Sequence, residues 1–496
     1  MGKRVKVRVS ASGKEGGVED LERFSQEILR EAYLVGAGRK GSGNEAAIYQ
    51  RWRKLFLPSA LERFPPGPPR SRQRLEEFVK VGYVDRAIAP WQDRRRNKLL
   101  RARVRSQGQE MPFFSASVLL AELPDREERH RLYGELSGVW RSVSEEEEAI
   151  WATFQEGVRS LGFSNGRTAT EALFHYDVPH LLGQTRRFTD STRGLFERLL
   201  RERADAEAIP FQELRAYDSG RLLRGADWSR RFPKSGLVPF LKRFLRGTGL
   251  PWESFRPDLA VRPRKNPRAF CAPVRIPEEV YLVLRPVGGH DDYHTALHEM
   301  GHALHFGLTD PALHPVFRRL GDASLTEGWA FVLDLLFLNG EFRRTMIKDP
   351  AFVRFFALSQ LWMLRRYAGK IDYESRFFRN PLDPRSRADY VRSLARTTLV
   401  RPDEEGHMGD RWRSDIDPWM YTAAYLRAWM FAGAFTELLE ERWGLRWWAH
   451  KGSGEFLARL WARGQYPTVE DLLEEFGLGE LSLAPLERLL RRSLEA

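Results

Sequence analysis

The stretch GGHDDYHTALHEMGHALHFG at 288–307 constrains this chain more than any other feature in it. It carries His298, Glu299 and His302 as HEMGH, inside a run whose other signals are those of a helix. Histidines at positions i and i+4 stand one turn above each other on a helix face. Both imidazoles can then reach a single ion at about 2.0 to 2.1 Å. The same spacing turns Glu299 to the side of the pair, where it can take a proton from a water on that metal and carry it to a leaving amine. The pattern points to a zinc-dependent hydrolase.

The surroundings of the motif support a helix. Gly288 and Gly289 precede it, and Asp291 or Asp292 can cap its first turn. His294 and His305 extend the histidine stripe and are read as hydrogen-bonding neighbours or helix-surface residues rather than ligands. A catalytic zinc takes three protein ligands and leaves a position for water. The third is expected to be Glu327, in SLTEGWAFVLDLL, because it begins a second apolar helix able to pack on the first. Ser324-x-x-Glu327 also has the pattern of a capping box, in which Glu327 would bond the helix start instead. Asp322 is the reserve ligand, and Asp334 further along the same helix is placed to orient a histidine.

Composition narrows the chemistry. A single cysteine, Cys271, excludes a disulfide framework and any Cys-rich zinc module, leaving His and carboxylate ligands. The 496 residues allow two or three ordinary domains, or one large fold split into lobes around a cleft. The net charge of +13 raises the question of nucleic acid. The basic residues are mostly arginine and are interleaved with Glu and Asp along the whole chain, which argues for an ion-paired surface and against a nucleic-acid partner. The basic start, MGKRVKVRVSASGKEGG, leads into no apolar stretch, and runs such as FVLDLLFL are too short to span about 30 Å of bilayer. The expectation is a cytoplasmic enzyme with no membrane segment. No oligomeric state is read from the sequence.

Along the chain, KRVKVRVS at 3–10 alternates like a short strand before the SGKEGG joint, giving an N-terminal arm over 1–18. Helical spacing then dominates a lobe over 19–255, with RFPPGPPRSR at 63–72 as a rigid connector. Two β-prone runs, AFCAPV and VYLVL, flank a Pro-containing turn ahead of the motif, so a small sheet is expected there. Helices return to the end of the zinc-binding lobe, 256–496.

These residues resemble the helical zinc peptidases of the thimet oligopeptidase and oligoendopeptidase F family. The likeness lies in AFC at 269–271, LHEMGHALH at 297–305, the later Glu327 and a tyrosine-bearing helix, WMYTAAYLRAWMF, and it covers about the last half of the chain. HEMGH and EGWA are also similar to angiotensin-converting enzyme. The resemblance implies a mainly α, two-lobed helical metallopeptidase fold with a deep channel and a small β-sheet next to the HExxH helix. It further implies one catalytic Zn2+ and short peptides, rather than folded proteins, as substrates.

In the family an edge strand beside the zinc helix pairs with the substrate backbone. Residues 280–285 take that place here, or else form an ordinary buried hairpin. The family also supplies a late histidine and tyrosines that donate to the tetrahedral oxyanion. Tyr421 and Tyr425 match the tyrosines, although aromatic stripes on long helices also serve as core. The family's histidine has no counterpart in RSDIDPW, so His407 in EEGHMGD is the substitute, and Arg427 is a candidate carboxylate binder. The expected function is therefore zinc-dependent hydrolysis of peptide bonds in short peptides. The alternatives are a metal-dependent carboxypeptidase and a catalytically weak peptide-binding protein of the same fold.

Overall fold

The computed structural model describes residues 16–495, and the strand expected at 3–10 lies outside them. The described chain is mainly helical, with two small sheets. The first is a hairpin that the sequence reading missed, β1 (Arg103–Ser106) and β2 (Gln109–Pro112). Its strands are mostly polar and carry little alternation. Its turn, Gln107-Gly108, places both residues at positive φ (52° and 74°), the geometry that matches strand twist in two-residue hairpins.

The second sheet precedes the motif as expected, and a third strand joins it. The strands β3 (Arg256–Asp258), β4 (Phe270–Arg275) and β5 (Glu279–Val283) lie in the order β3-β5-β4. β5 runs antiparallel to β4 and parallel to β3. This corrects the expectation for 280–285: β5 is the central strand because β3 pairs with its other side, and the edge beside the motif helix belongs to β4. Asp258, at the end of β3, accepts hydrogen bonds from Tyr33 (3.0 Å) and from Lys265 Nζ (3.1 Å), and also binds Arg262. Charge-assisted bonds of this kind tie the helix Gly16–Gly36 and the loop after β3 to the sheet.

One large apolar core runs from Val84 to Leu490 and is continuous across residue 255. At its centre the motif helix, His290–Gly307, packs on the acid helix, Ala323–Asp334, which in turn packs on the tyrosine helix, Tyr421–Trp443. Glycines set these crossings. A Cβ on Gly301 would lie 2.6 Å from Ala330 Cα and 2.9 Å from the Trp329 carbonyl oxygen, and one on Gly328 would lie 2.5 Å from the Phe431 ring. Gly301, the fourth residue of HEMGH, is thus what lets the two helices approach closely enough for Glu327 to reach the histidines.

Gly301→Ala is expected to lower stability by about 1 to 3 kcal/mol through overpacking. The check is thermal unfolding beside Gly183→Ala, where a Cβ would meet only Arg187 Nη1, at 3.6 Å. The control exchange favours the helix by about 1 kcal/mol from propensity alone. Equal tolerance of the two substitutions would refute the close approach.

Candidate metal centre

The motif helix starts at His290 without a side-chain cap from either aspartate, correcting that expectation. Gly289, at φ 103°, turns the chain into the helix. Asp292 instead accepts from the backbone N–H groups of Val287 (2.7 Å) and Gly288 (2.6 Å), and Asp291 pairs with Arg224 at 2.9 Å. The acid helix is capped by Asp322, whose Oδ1 accepts from Ser324 N at 2.8 Å. Asp322 is therefore the cap and not a reserve ligand. The capping box fails for the same reason: Ser324 is already inside the helix, which frees Glu327 from its start. Arg427 closes this corner by donating to Ser324, Asp322 and Glu470, so it is not available to bind a substrate carboxylate.

His298, His302 and Glu327 converge. Glu327 Oε2 lies 3.5 Å from His298 Nε2 and 3.4 Å from His302 Nε2, and the two imidazole rings are 5.1 Å apart. That oxygen is buried and has no hydrogen-bond partner, while Oε1 accepts from Tyr421 at 2.9 Å. Two imidazoles and a carboxylate that converge in this way are a set of ligands able to hold a metal ion. The three residues offer one ligand atom each within 4.8 Å of one another.

Neighbours fix both rings. His298 Nδ1 faces Asp334 Oδ2 at 3.4 Å, and His294 shares that carboxylate at 2.5 Å. His302 Nδ1 lies 3.2 Å from Thr326 Oγ1. His294 and His305 are therefore neighbours, as expected, with His305 bonded to the Gly464 carbonyl at 3.0 Å. Burial pushes His305 down to about 4, so it is neutral at pH 7.

The carboxylates and imidazoles of this centre shift one another's protonation. Burial opposes a charged His298, but Asp334 and Glu327 hold its imidazolium up to about 10. Burial would raise Glu327 as well, and the two imidazoles hold it well below the carboxylate range instead. Asp334 falls to about 2 because His294 and His298 outweigh its burial.

A cleft of about 730 Å³ opens onto this centre, lined by His298, Glu299, Tyr367, Tyr425 and the segments 267–269 and 284–287. Glu299 faces it without holding any neighbour by a hydrogen bond among the described residues. The tyrosines divide. Tyr421 is committed to Glu327, whereas the hydroxyls of Tyr425 and Tyr367, with rings 5.2 Å apart, make no hydrogen bond among the described residues. Tyr367 was missed in the sequence because nothing in LWMLRRYAG separates it from core aromatics. Thr326 stood next to Glu327 without a spacing that marked it.

His407 is not brought here. The loop carrying it docks on the helix Arg126–Ser142, where its ring meets Tyr133 and Gly134. The expectation of His407 as an oxyanion donor is corrected by that placement.

Three arginines line the cleft. Arg224 pairs with Asp291 and Glu122, and Arg285 donates to the Lys265 carbonyl. Arg268 is exposed at the cleft and makes no ion pair among the described residues.

No protein-family model matches this chain, and no curated protein matches it in sequence. Solved structures do match across almost all of it. Oligoendopeptidase-F from Enterococcus faecium aligns over 97% of this chain and 91% of its own, at a TM-score of 0.59 and 14% identity. PZ peptidase A aligns over 97% and 86%, at 0.60 and 13%. M32 carboxypeptidase from Deinococcus radiodurans R1 aligns over 98% and 99%, at 0.58 and 13%. At such identities the likeness establishes the fold. It is the mainly α fold of these peptidase structures, here with a small sheet beside the motif helix and a cleft opening onto it.

Proposed function

We propose that this chain is a zinc-dependent peptidase acting on short peptides, with His298, His302 and Glu327 holding the ion. The observation that carries the reading is Glu327 Oε2, buried and unpartnered between two imidazole nitrogens. Two imidazoles and one carboxylate suit zinc better than a hard cation. Bound there, zinc would act as a Lewis acid and make water a nucleophile near neutral pH.

The chain's own residues supply the rest. Glu299 takes the proton from the attacking water and returns it to the amine as the C–N bond breaks, so that water ends as carboxylate and ammonium. The free hydroxyls of Tyr425 and Tyr367 are the candidate donors to the oxyanion, each worth a few kcal/mol when well placed. Tyr421 holds Glu327 in position. The β4 edge and residues 267–269 are placed to pair with an extended substrate backbone.

The test is mass spectrometry of a peptide pool, half of it C-terminally amidated, incubated with zinc-loaded protein. Internal cuts abolished by chelator, and indifferent to amidation, are expected for an oligoendopeptidase. The unpaired Arg268 favours the carboxypeptidase as a second reading, since a guanidinium in the cleft suits a terminal carboxylate. In that case residues leave stepwise from the C-terminus, amidation lowers kcat/KM more than about tenfold, a loss of at least ~1.4 kcal/mol, and Arg268→Ala removes the difference. A zinc-loaded protein that leaves every peptide intact refutes both in favour of a peptide-binding protein.

A further inference from the structure

A second convergence of metal-ligating groups lies where His407 was carried. His130, on the helix Arg126–Ser142, places Nε2 at 3.1 Å from Glu405 Oε2. With His407 they offer three ligand atoms that all lie within 4.8 Å of one another. None of the three lines the cleft.

The site is built rather than incidental. The His130 ring stacks on Tyr217 at 4.9 Å. Asp403, almost fully buried, accepts from the backbone N–H groups of His407 (2.7 Å) and Met408 (3.0 Å), and its Oδ2 lies 3.3 Å from His407 Nδ1. His407 Nδ1 itself is buried beside that carboxylate without a hydrogen-bond partner among the described residues. The loop itself is pinned: Arg387 donates to the Gly406 carbonyl at 2.7 Å, and Arg141 and Ser137, from the His130 helix, both bind Asp410. A cavity of about 330 Å³ beside His130 and Glu405 leaves room for water in the remaining coordination positions. Of the two arginines lining this cavity, Arg126 is already paired with Glu213 and Asp218, while Arg215 Nη1 has no hydrogen-bond partner among the described residues.

We propose that His130, Glu405 and His407 form a second site for a divalent transition ion, zinc by ligand type, that clamps the loop at 401–411 to the helix Arg126–Ser142. Two imidazoles and a carboxylate select zinc, cobalt or nickel over calcium and magnesium, which demand oxygen ligands. The proposal stands independently of the peptidase reading.

The test is equilibrium dialysis of the full chain against Zn2+ followed by metal analysis. Two ions per chain are expected for the wild type and one for His130→Ala. Glu405→Gln should weaken the second ion by more than about tenfold. His298→Ala/His302→Ala should retain one ion, and adding His130→Ala should remove it. Since His130 and Glu405 are partly exposed, their variants should fold as the wild type does, which circular dichroism checks. Peptide hydrolysis by His130→Ala should be unchanged. One ion per chain that survives His130→Ala, or two ions indifferent to it, overturns the second site. A single ion lost with His130→Ala would instead uphold it and count against the catalytic centre.

Discussion

Glu299→Gln is expected to lower kcat/KM for peptide hydrolysis by about 10² to 10⁴-fold while leaving the zinc content unchanged. In free energy that is a loss of ~2.7 to 5.5 kcal/mol of transition-state stabilisation. Glu299 lines the cleft beside His298 and is not one of the three converging ligands, so the amide changes no donor to the metal. Glutamine keeps the shape and removes only the ability to take a proton. The measurement is kcat/KM on one cleavable peptide, with metal analysis on the same preparations. A variant within tenfold of the wild type at equal zinc content would move the base away from Glu299. A variant that also loses zinc would show that Glu299 shapes the centre itself.

Much of this centre could be read before any coordinates because helix geometry is rigid. Once HEMGH is helical, the facing of His298 and His302 and the lateral place of Glu299 follow from 3.6 residues per turn. Glu327 was harder. The sequence favours Glu327 as a ligand but leaves a capping box open, and what separates them is that Asp322 caps the helix first. That choice depends on Arg427, more than a hundred residues downstream in the chain, which holds Asp322 at the helix start. The sheet divided in the same way. β4 and β5 announce themselves as β-prone runs, but β3 is only Arg256–Asp258 and carries no alternation, so the centrality of β5 was invisible.

Tertiary placement explains the other differences. His407 and the tyrosines come from segments whose local sequence says nothing about where a loop docks. The ion pair of Arg141 with Asp410 takes His407 to the helix Arg126–Ser142. The tyrosine helix is entered through Trp419 and Met420, both at positive φ (63° and 49°), a conformation costly for such side chains and held here by their burial. That entry sets which turn of the helix faces Glu327, and hence that Tyr421 supports the acid while Tyr425 faces the cleft.

Glu327→Gln should have the second large effect, on metal affinity rather than on turnover of the loaded protein. Its carboxylate is the only anionic donor among the three converging residues, so its removal is expected to weaken zinc binding more than about 100-fold, beyond the 10- to 100-fold usual for groups behind a ligand. The same charge supports His298 in the metal-free protein. With its pKa raised from 6.5 to about 10, His298 contributes stability that is fully present below pH 6.5 and is lost as pH rises through about 10. Zinc requires that imidazole neutral, so protons compete with the ion over the same window. The rise in Tm on adding zinc should accordingly be larger near pH 9 than near pH 6 in the wild type. In Glu327→Gln it should shrink at both, because the ion loses its anionic ligand, and it should depend less on pH, because His298 loses one of the carboxylates that keep it charged. Differential scanning fluorimetry with and without zinc at the two pH values reads both terms. A zinc-induced rise that is independent of pH, and unchanged by the substitution, would place the stabilising ion at another site and leave Glu327 as a structural partner of Tyr421 and the two histidines.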